Sequence, residues 1–334
     1  MEASLAALVV EAYVNGVPTR DMSLLAGSLG VSSLSASEVS RPTAELDGQV
    51  GELRSRRLDD QRYRCLWVDA TYVRCRVSGR SVSQAVVTAI ALGEDGRKRL
   101  VGLGCVDTES YADWRAFLAS IRPRGLSGLV LCVSDDHAGL VRALAEVFQG
   151  AAWQRCTVRL RRNVAAKVRS AGNGRPVREL AKAVFAEGDA MACRAAYGRA
   201  RDAVRAAGEP ACADLPGAAR GDAPQYPSLP KEHWRRVRAN NVQERANREI
   251  KRRYRSVQSF PSRESLLRLV GAVVLEEEDA WAHQRVFSPE STAGAWEAPS
   301  APAPDGALAR AVAEADRRAE ALVASVVDRW GSEA

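Results

Sequence analysis

The feature that most constrains this fold is a change in the spacing of apolar residues at Arg64. Before Arg64 the apolar residues recur at helical intervals, whereas after it they follow the spacing of strands. Three such runs follow one another, RCLWVDATYVRCRV, SQAVVTAIAL and RKRLVGLGCV, and the short segments between them are rich in Gly and Ser. The pattern predicts three antiparallel strands joined by hairpin turns.

After the third strand, the chain alternates between helical and strand patterns. The successive segments are a helix in ESYADWRAFLASI, a buried strand in LSGLVLCVSDD, a helix in HAGLVRALAEVFQG, a short strand in AAWQRCTV and a helical start in LRRNVAAKVRSAG. Together with the first three strands, they give the order β-β-β-α-β-α-β-α. The sequence therefore predicts a mixed α/β core.

The remainder of the chain is mostly helical in pattern. Residues 175–230 begin as an Ala- and Arg-rich helical stretch and become rich in Pro and Gly. Helical patterns return in HWRRVRANNVQERANREIKRRYRS and SRESLLRLVGAVVLEEEDAWAHQRV. An Ala/Pro-rich linker then precedes a last amphipathic helix, which is expected from about Ala307 to Trp330.

The N-terminal segment has a helix-turn-helix-like pattern. A helix is expected over residues 4–14, a second one follows a capping Thr19, and a third starts near Ser35 or Ser37. Pro42 lies inside the third helix and is expected to kink it or delay its start. Such a triplet is either a DNA-recognition element or an ordinary helical bundle, and the spacing does not decide between them.

Composition narrows the class of protein. A chain of 334 residues that is 46% hydrophobic can bury a core and is long enough for roughly two domains. We expect a cytoplasmic protein, because no stretch approaches the ~20 apolar residues of a membrane span and the N-terminus lacks the features of a secretion signal. The seven cysteines contain no CxxC pair, so the sequence suggests neither disulfides nor a zinc site.

The charge of the chain is unevenly distributed. The net charge is +7, whereas the segment from Ser288 onward contains eight acidic and four basic residues. Residues 231–256 contain ten Lys or Arg against three Glu. A basic block of this kind is either a solvated helix face or a surface that contacts phosphates, and the excess of positive charge is compatible with a polyanionic partner.

Two aspartates each follow an apolar strand run. Asp69 ends the CLWV run of the first strand, and Asp135 ends the LVLCVS run of the fourth. An ionised Asp at a buried strand end is costly unless it is paired or binds a metal ion. Carboxylate-rich sites suit Mg²⁺ or Mn²⁺, and two such ions can promote phosphodiester chemistry. We therefore expect Asp69 and Asp135 to lie on neighbouring strands as ligands of two ions.

The third carboxylate is expected from a helix. Glu244 shares one helical face with Asn241, Arg248 and Lys251. The alternative is structural: Asp69 and Asp135 would cap a turn and a helix, and Glu244 would pair with Arg248 four residues later. The residues alone leave both interpretations open.

Five blocks extend these observations to a known family. LWVDATYVRCR, LCVSDDHAGL, AAWQRC, KEHWRRVRANNVQERANREIKRR and FPSRESLLRLVGAVVLEE resemble, in this order, blocks of the bacterial Mutator-type insertion-sequence transposases. The resemblance runs from about residue 5 to residue 290. It implies a ribonuclease-H-like mixed sheet with a helical insertion before the catalytic glutamate, and it places the catalytic and metal-binding carboxylates at Asp69, Asp135 and Glu244.

The resemblance also implies a division of the chain into five parts. These are a helix-turn-helix-like DNA-binding segment (1–60), the first part of the catalytic core (61–168), a helical insertion (169–232), the second part of the core (233–287), and a linker with a C-terminal helix (288–334).

The implied activity is that of a DDE-type transposase, which cuts and joins DNA at insertion-sequence ends with two Mg²⁺ or Mn²⁺ ions. The implied partners are double-stranded DNA at transposon ends, target DNA and further copies of the chain, as a homodimer or higher oligomer on DNA. No membrane is involved, and a bound protein would lie on the nucleoid. The residues expected to contact DNA are Arg245, Arg248, Lys251, Arg252 and Arg253.

The resemblance is incomplete, and the chain is expected to be an N-terminally shortened, divergent copy. The family pattern after the fifth strand has Cys, two residues and then His. Here the third residue after Cys156 is Arg159 instead. The alternative functions are therefore a catalytically inactive, DNA-binding transposase remnant and a structure-selective nuclease. The residues expected to support the site are His137, Cys156, Arg159, Asn241 and Asn247.

Overall fold

The computed structural model describes residues 3–15, 17, 21, 22, 24, 27, 36–213, 225, 226, 229–294 and 306–332. The chain forms two compact units, each built from several segments. The first contains Met1–Leu129, Ala138–Gln149 and Asn241–Val286, and the second contains Val130–His137, Gly150–Asn240 and Phe287–Ala334. The five-part division expected from the sequence stays a prediction.

The helices and strands named below lie within the described residues. In chain order they are α1 (Ala3–Val14), α2 (Ala36–Ser55), β1 (Tyr63–Val77), β2 (Arg80–Gly93), β3 (Lys98–Val106), α3 (Tyr111–Ile121), β4 (Leu131–Ser134), α4 (Ala138–Val147), β5 (Ala152–Arg155), α5 (Thr157–Lys167), α6 (Gly174–Ala186), α7 (Ala190–Ala206), α8 (Pro210–Ala213), α9 (Trp234–Val237), α10 (Asn241–Val257), α11 (Arg263–Ala282), α12 (Pro289–Gly294) and α13 (Ala307–Ser332).

The strands form a mixed sheet, and the core elements follow the order β-β-β-α-β-α-β-α. The ribonuclease-H-like class of this arrangement stays a prediction. None of the helices in the described part of the chain is long and apolar enough to span a membrane.

The first unit contains the antiparallel strands predicted from the sequence. β1 pairs with β2 along its length, with Asp69 opposite Thr88, and β2 pairs with β3. The β1–β2 turn consists of Ser78 and Gly79, which have φ angles of 50° and 79°. Positive φ at both central positions is the geometry that allows a two-residue turn to follow the twist of its strands.

A helix covers one face of these strands. Phe117 and Ile121 of α3 are buried, and a Cβ atom on Gly102 of β3 would lie 2.7 Å from Ile121 Cδ1. Only glycine permits this close approach between helix and strand. The α3 helix itself begins at Ser110, whose side chain accepts a hydrogen bond from the Asp113 backbone N–H.

The N-terminal helices belong to the first unit. The predicted start of the third N-terminal helix is confirmed, because α2 begins at Ala36 and continues through Pro42 to Ser55. The expected delay at Pro42 is wrong, because a proline removes one hydrogen bond, whereas α2 is anchored by Leu46, Val50 and Leu53, which are buried on one face. The expected second helix falls largely outside the described residues, so the helix-turn-helix stays a prediction.

The second unit combines two parallel strands with a helical cluster. β4 pairs with β5 in parallel. The predicted last helix is confirmed as α13, whose Ala319, Val323, Val326 and Trp330 are buried in one cluster with residues of α6 and α7. Trp330 Nε1 also donates a hydrogen bond to Asn173 Oδ1 at 2.9 Å. The last helix is therefore part of the core of this unit.

Candidate active site

Asp69 lies inside β1 and its side chain is held in one orientation. The residue is 5% exposed. Its Oδ1 accepts a hydrogen bond from the Ala70 backbone N–H at 2.9 Å, and its Oδ2 accepts one from Asn247 Nδ2 at 2.9 Å. Two N–H donors fix the orientation of this carboxylate.

The helix that carries Glu244 is fastened to the strands by a buried glutamine. Gln243 is fully buried in α10, and its Nε2 donates to the backbone carbonyls of Trp67 at 2.8 Å and Thr88 at 3.1 Å. Its Oε1 accepts a hydrogen bond from Thr88 Oγ1 at 2.7 Å. Every polar atom of this side chain is therefore used to fix α10 against β1 and β2.

Gln243 is a residue that the sequence analysis missed. The signal lies in its spacing, because Gln243, Asn247 and Ile250 recur at i, i+4 and i+7 and form the buried face of α10. In a helix that is otherwise very polar, two amides on the buried face indicate specific hydrogen bonding rather than packing.

Glu244 is partly buried in the first turn of α10. A carboxylate at this end of a helix is favoured by the partial positive charge of the unpaired backbone N–H groups. Asn241, the first residue of the same helix, is exposed. Glu244 thus lies on a helix that contacts Asp69 through Asn247.

Asp135 belongs to the second unit and directly follows the buried strand β4. Its Oδ2 lies 2.6 Å from Nη1 of Arg159, and the side chains of Asp135 and Arg159 are 25% and 41% exposed. The neighbouring Asp136 pairs with Arg155 of β5 at 3.3 Å. His137, which was expected to support the site, is partly buried. The divergent Arg159 of the sequence pattern is therefore in direct contact with the second predicted carboxylate.

Cys156 immediately precedes α5, whose first turn carries Arg159. The thiol is buried, and its Sγ accepts a hydrogen bond from the Asn240 backbone N–H at 3.3 Å. Burial raises the pKa of Cys156 above its usual value, so the thiol stays protonated near neutral pH. The contact with Asn240 helps to fix the start of α5.

The structure places the three predicted carboxylates in different units: Asp69 and Glu244 in the first, Asp135 in the second. Within the described part of the chain, no three His, Cys, Asp or Glu side chains form a cluster that could hold a metal ion. The three-carboxylate site consequently stays a prediction.

One observation bears on whether a cation fits beside Asp69. Asn247 is 7% exposed, and its Oδ1 is buried without a hydrogen-bond partner among the described residues. A buried oxygen that accepts no hydrogen bond is costly, and a hard cation is one way to satisfy it. The carboxylate oxygens of Asp69 and the amide oxygen of Asn247 are of the kind that Mg²⁺ prefers.

The basic residues of α10 fall into two groups. Arg245, Arg252 and Arg253 are ion-paired with Glu277 at 3.5 Å, Glu249 at 3.0 Å and Glu276 at 2.8 Å respectively. Arg253 is also buried and donates to the backbone carbonyl of Val14 at 2.7 Å.

The second group consists of Arg248, Lys251 and Arg255, which are exposed and have no acidic partner among the described residues. They follow Glu244 at i+4, i+7 and i+11, so the four residues share one face of α10. We call these three residues the basic stripe.

Comparison with known proteins identifies the family. The sequence profile of the family described as "Transposase, Mutator family" matches residues 1–284. The chain is 38% identical over 290 residues to the transposase for insertion sequence element IS1081 of Mycobacterium tuberculosis, covering 86% of this chain and 68% of the relative. It is 34% identical to the transposase for IS256 in transposon Tn4001 of Staphylococcus aureus, covering 84% and 72%.

Among solved structures, the Drosophila P element transposase strand transfer complex aligns over 97% of this chain and 91% of its own, at 11% identity and a TM-score of 0.33. Similarity at this level carries no argument about the fold. The sequence relatives are sufficient by themselves, because two insertion-sequence transposases match most of the chain at 34% to 38% identity. The chain belongs to the Mutator family of transposases.

Proposed function

We propose that this protein is a DDE-type DNA transposase, which cleaves DNA at the ends of an insertion sequence and transfers the freed ends to target DNA. Membership of the Mutator family carries the proposal. The hydrogen bond between Asn247 of α10 and Asp69 supports it, because it ties the helix of Glu244 to the strand of Asp69. Fixed relative placement of catalytic groups is what such chemistry requires.

Asp69, Asp135 and Glu244 would hold two divalent cations, Mg²⁺ or Mn²⁺. When bound, two such ions can activate the attacking oxygen and stabilise the leaving oxygen of a phosphodiester. The chain contributes orientation: Asn247 and the Ala70 N–H keep the Asp69 carboxylate in one position. Gln243 prevents α10 from shifting along the strands.

The basic stripe would bind the phosphates of the DNA that reaches Glu244. Arg248, Lys251 and Arg255 extend over about 16 Å from Glu244, at 1.5 Å of rise per residue. Each phosphate contact should contribute to a salt-dependent affinity. Arg253 is not included in this surface because it is buried and ion-paired, and Arg245 and Arg252 contribute less because each has an acidic partner.

A second candidate function is a catalytically inactive member of the family that still binds DNA. The contact between Arg159 and Asp135 favours it, because a permanent cation lies 2.6 Å from a predicted metal ligand. A divalent ion would have to share that carboxylate with the guanidinium or displace it. Binding of DNA without cleavage is the expected behaviour of such a protein.

The test is a nicking assay on a plasmid that carries the DNA from either side of the gene as a pair of candidate transposon ends. With Mg²⁺, the wild-type protein should nick this plasmid, and Asp69→Asn should reduce nicking below detection while leaving the electrophoretic shift of the same DNA unchanged. Asp279→Asn is the matched control, since Asp279 is an exposed acid on α11 of the same unit. Its nicking should equal that of the wild type.

Each result separates the candidates. A wild-type protein that shifts the DNA but never nicks it supports the inactive remnant. Equal nicking of a plasmid without these ends supports a structure-selective nuclease. Nicking by Asp69→Asn at the wild-type rate would eliminate Asp69 as a catalytic residue.

A further inference from the structure

The end of the β1–β2 hairpin extends beyond the rest of the three-stranded sheet. β3 pairs with β2 only as far as Ala85, so residues 74–83 continue as a two-stranded ribbon. We call these ten residues, RCRVSGRSVS, the distal ribbon. They contain three arginines and no acidic residue. The distal ribbon is therefore a concentrated positive charge on the first unit.

The strand register arranges two of these arginines on one face. Arg74 lies opposite Ser83 and Arg76 lies opposite Ser81. Directly opposite residues in antiparallel strands project from the same face, and all four are exposed. Neither arginine has an ion-pair partner among the described residues. Each guanidinium thus lies beside a hydroxyl group, and both groups commonly donate to phosphate oxygens.

The ribbon is held firmly on its own unit. The Arg74 backbone N–H donates to the Tyr254 hydroxyl at 3.0 Å, the Phe260 N–H donates to the Arg74 carbonyl at 3.0 Å, and the Arg76 N–H donates to the Phe260 carbonyl at 2.8 Å. The Ser78–Gly79 turn closes the other end with only two residues. A fixed backbone lowers the entropy lost when the side chains bind a ligand.

Tyr72 lies two residues before Arg74 on the same face of β1, next to the basic residues. Its side chain is 47% exposed. Burial of the hydroxyl and, second, the neighbouring Glu109 carboxylate raise the pKa of Tyr72 to about 12. Because the Glu109 carboxylate neighbours Tyr72, the surface that attracts anions begins at Arg74.

We propose that the face formed by Arg74, Arg76, Ser81 and Ser83 binds the phosphates of duplex DNA, as a second contact surface besides the basic stripe. The choice of DNA as the polyanion rests on the proposed function. A two-stranded ribbon is one of the two protein elements that the major groove of B-DNA admits, with its arginines beside the phosphates.

This surface is separate from the proposed active site. Residue parity along β1 puts Arg74 and Arg76 on the opposite face of the hairpin from Asp69. Loss of the two arginines should therefore weaken DNA binding through this face and not through the residues around Asp69.

The test measures binding of the full chain to a 40-base-pair duplex of random sequence by fluorescence anisotropy between about 50 and 200 mM salt. Arg74→Gln/Arg76→Gln should reduce the slope of log affinity against log salt by about 2, one unit for each lost phosphate contact. Over that range the wild type should lose about tenfold more affinity than the variant.

The matched control is Arg122→Gln/Arg285→Gln, which removes the same charge from exposed positions of the same unit. Arg122 lies two residues before Arg124, whose carbonyl accepts a hydrogen bond from the N–H of Leu58, shortly before β1. Arg285 adjoins Val286, whose N–H donates to the carbonyl of Gly96 in the β2–β3 turn. Both lie at the end of the hairpin away from the distal ribbon. The control should keep the wild-type slope, and so should Arg74→Lys/Arg76→Lys.

The outcomes are distinct. A wild-type slope in Arg74→Gln/Arg76→Gln overturns the ribbon contact and leaves the proposed function in place, because the wild type still binds and nicks. An equal reduction in the control also overturns it, because general charge would then account for the effect. Absence of wild-type binding to any duplex, with or without terminal repeats, overturns the proposed function as well. Matching thermal melting curves confirm that each variant is folded.

Discussion

Two aspartates that are assigned the same role have different surroundings. Asp69 accepts hydrogen bonds from a backbone N–H and a side-chain amide, and it is 5% exposed. Asp135 contacts the guanidinium of Arg159 at 2.6 Å and is more exposed. An amide orients a carboxylate but leaves its charge in place, whereas a guanidinium orients a carboxylate and also compensates its negative charge. The two carboxylates thus differ in a contact that is known for each: a neutral amide holds Asp69, and a guanidinium contacts Asp135.

Among the further changes that test this comparison, the largest effect should come from removing the charge of Asp135. If both aspartates bind the catalytic ions, Asp135→Asn should reduce the rate of plasmid nicking on the order of a thousandfold, equivalent to about 4 kcal/mol of transition-state stabilisation. The measurement is the nicking rate at saturating Mg²⁺, and the control is Asp202→Asn, an exposed acid of the same unit. Nicking by Asp135→Asn at more than a tenth of the wild-type rate would show that the two aspartates do not share a role.

A smaller loss of metal affinity or activity is expected when the side-chain amide that orients Asp69 is removed. Asn247→Leu keeps a side chain of similar size but removes the donor to Asp69 Oδ2 and the buried Oδ1. Removing a group that orients a metal ligand lowers metal affinity or activity on the order of 10- to 100-fold. Calorimetric titration with Mn²⁺ measures the affinity directly, and Asn163→Leu on the exposed face of α5 is the control. Unchanged Mn²⁺ affinity would contradict the role given to Asn247.

The smallest effect should come from replacing Arg159, and this change should raise the affinity for Mn²⁺ instead of lowering it. Arg159→His, studied at pH 8 where a histidine of ordinary pKa is neutral, removes a cation that competes with the metal ions. Because Arg159 and Asp135 are both partly exposed to solvent, the interaction free energy of this ion pair is no more than about 1 kcal/mol. Its loss should therefore raise the affinity for Mn²⁺ roughly two- to fivefold.

Calorimetric titration again measures the Mn²⁺ affinity, and Arg162→His, an exposed neighbour on the same helix, should leave it unchanged. A fall in Mn²⁺ affinity in Arg159→His would mean that the guanidinium supports the site instead of competing for it.

The strands could be predicted from the sequence because their signal is local. The first strand was expected over residues 64–77, and β1 spans Tyr63–Val77. Its turn was expected in SGRS, and the turn consists of Ser78 and Gly79. Apolar runs bounded by small, turn-forming residues define such elements without knowledge of distant contacts.

The contacts of the site residues could not be predicted in the same way, because they join distant parts of the chain. Gln243 bonds to carbonyls more than 150 residues away, and no local pattern specifies those partners. Arg159 could be recognised as a departure from the family, but its contact with Asp135 depends on how α5 follows β5. Arg253 could not be separated from the other basic residues of α10 until its burial was known.

The position of α13 in the second unit has a consequence for synthesis of the chain. The apolar cluster that it completes also contains Val177 and Cys212, yet Trp330 is made about 120 residues after Cys212. At 5–20 residues per second, the ribosome needs roughly 6 to 24 s for this interval. During that time the nascent helices α6 to α8 expose the apolar surface that α13 covers in the folded unit.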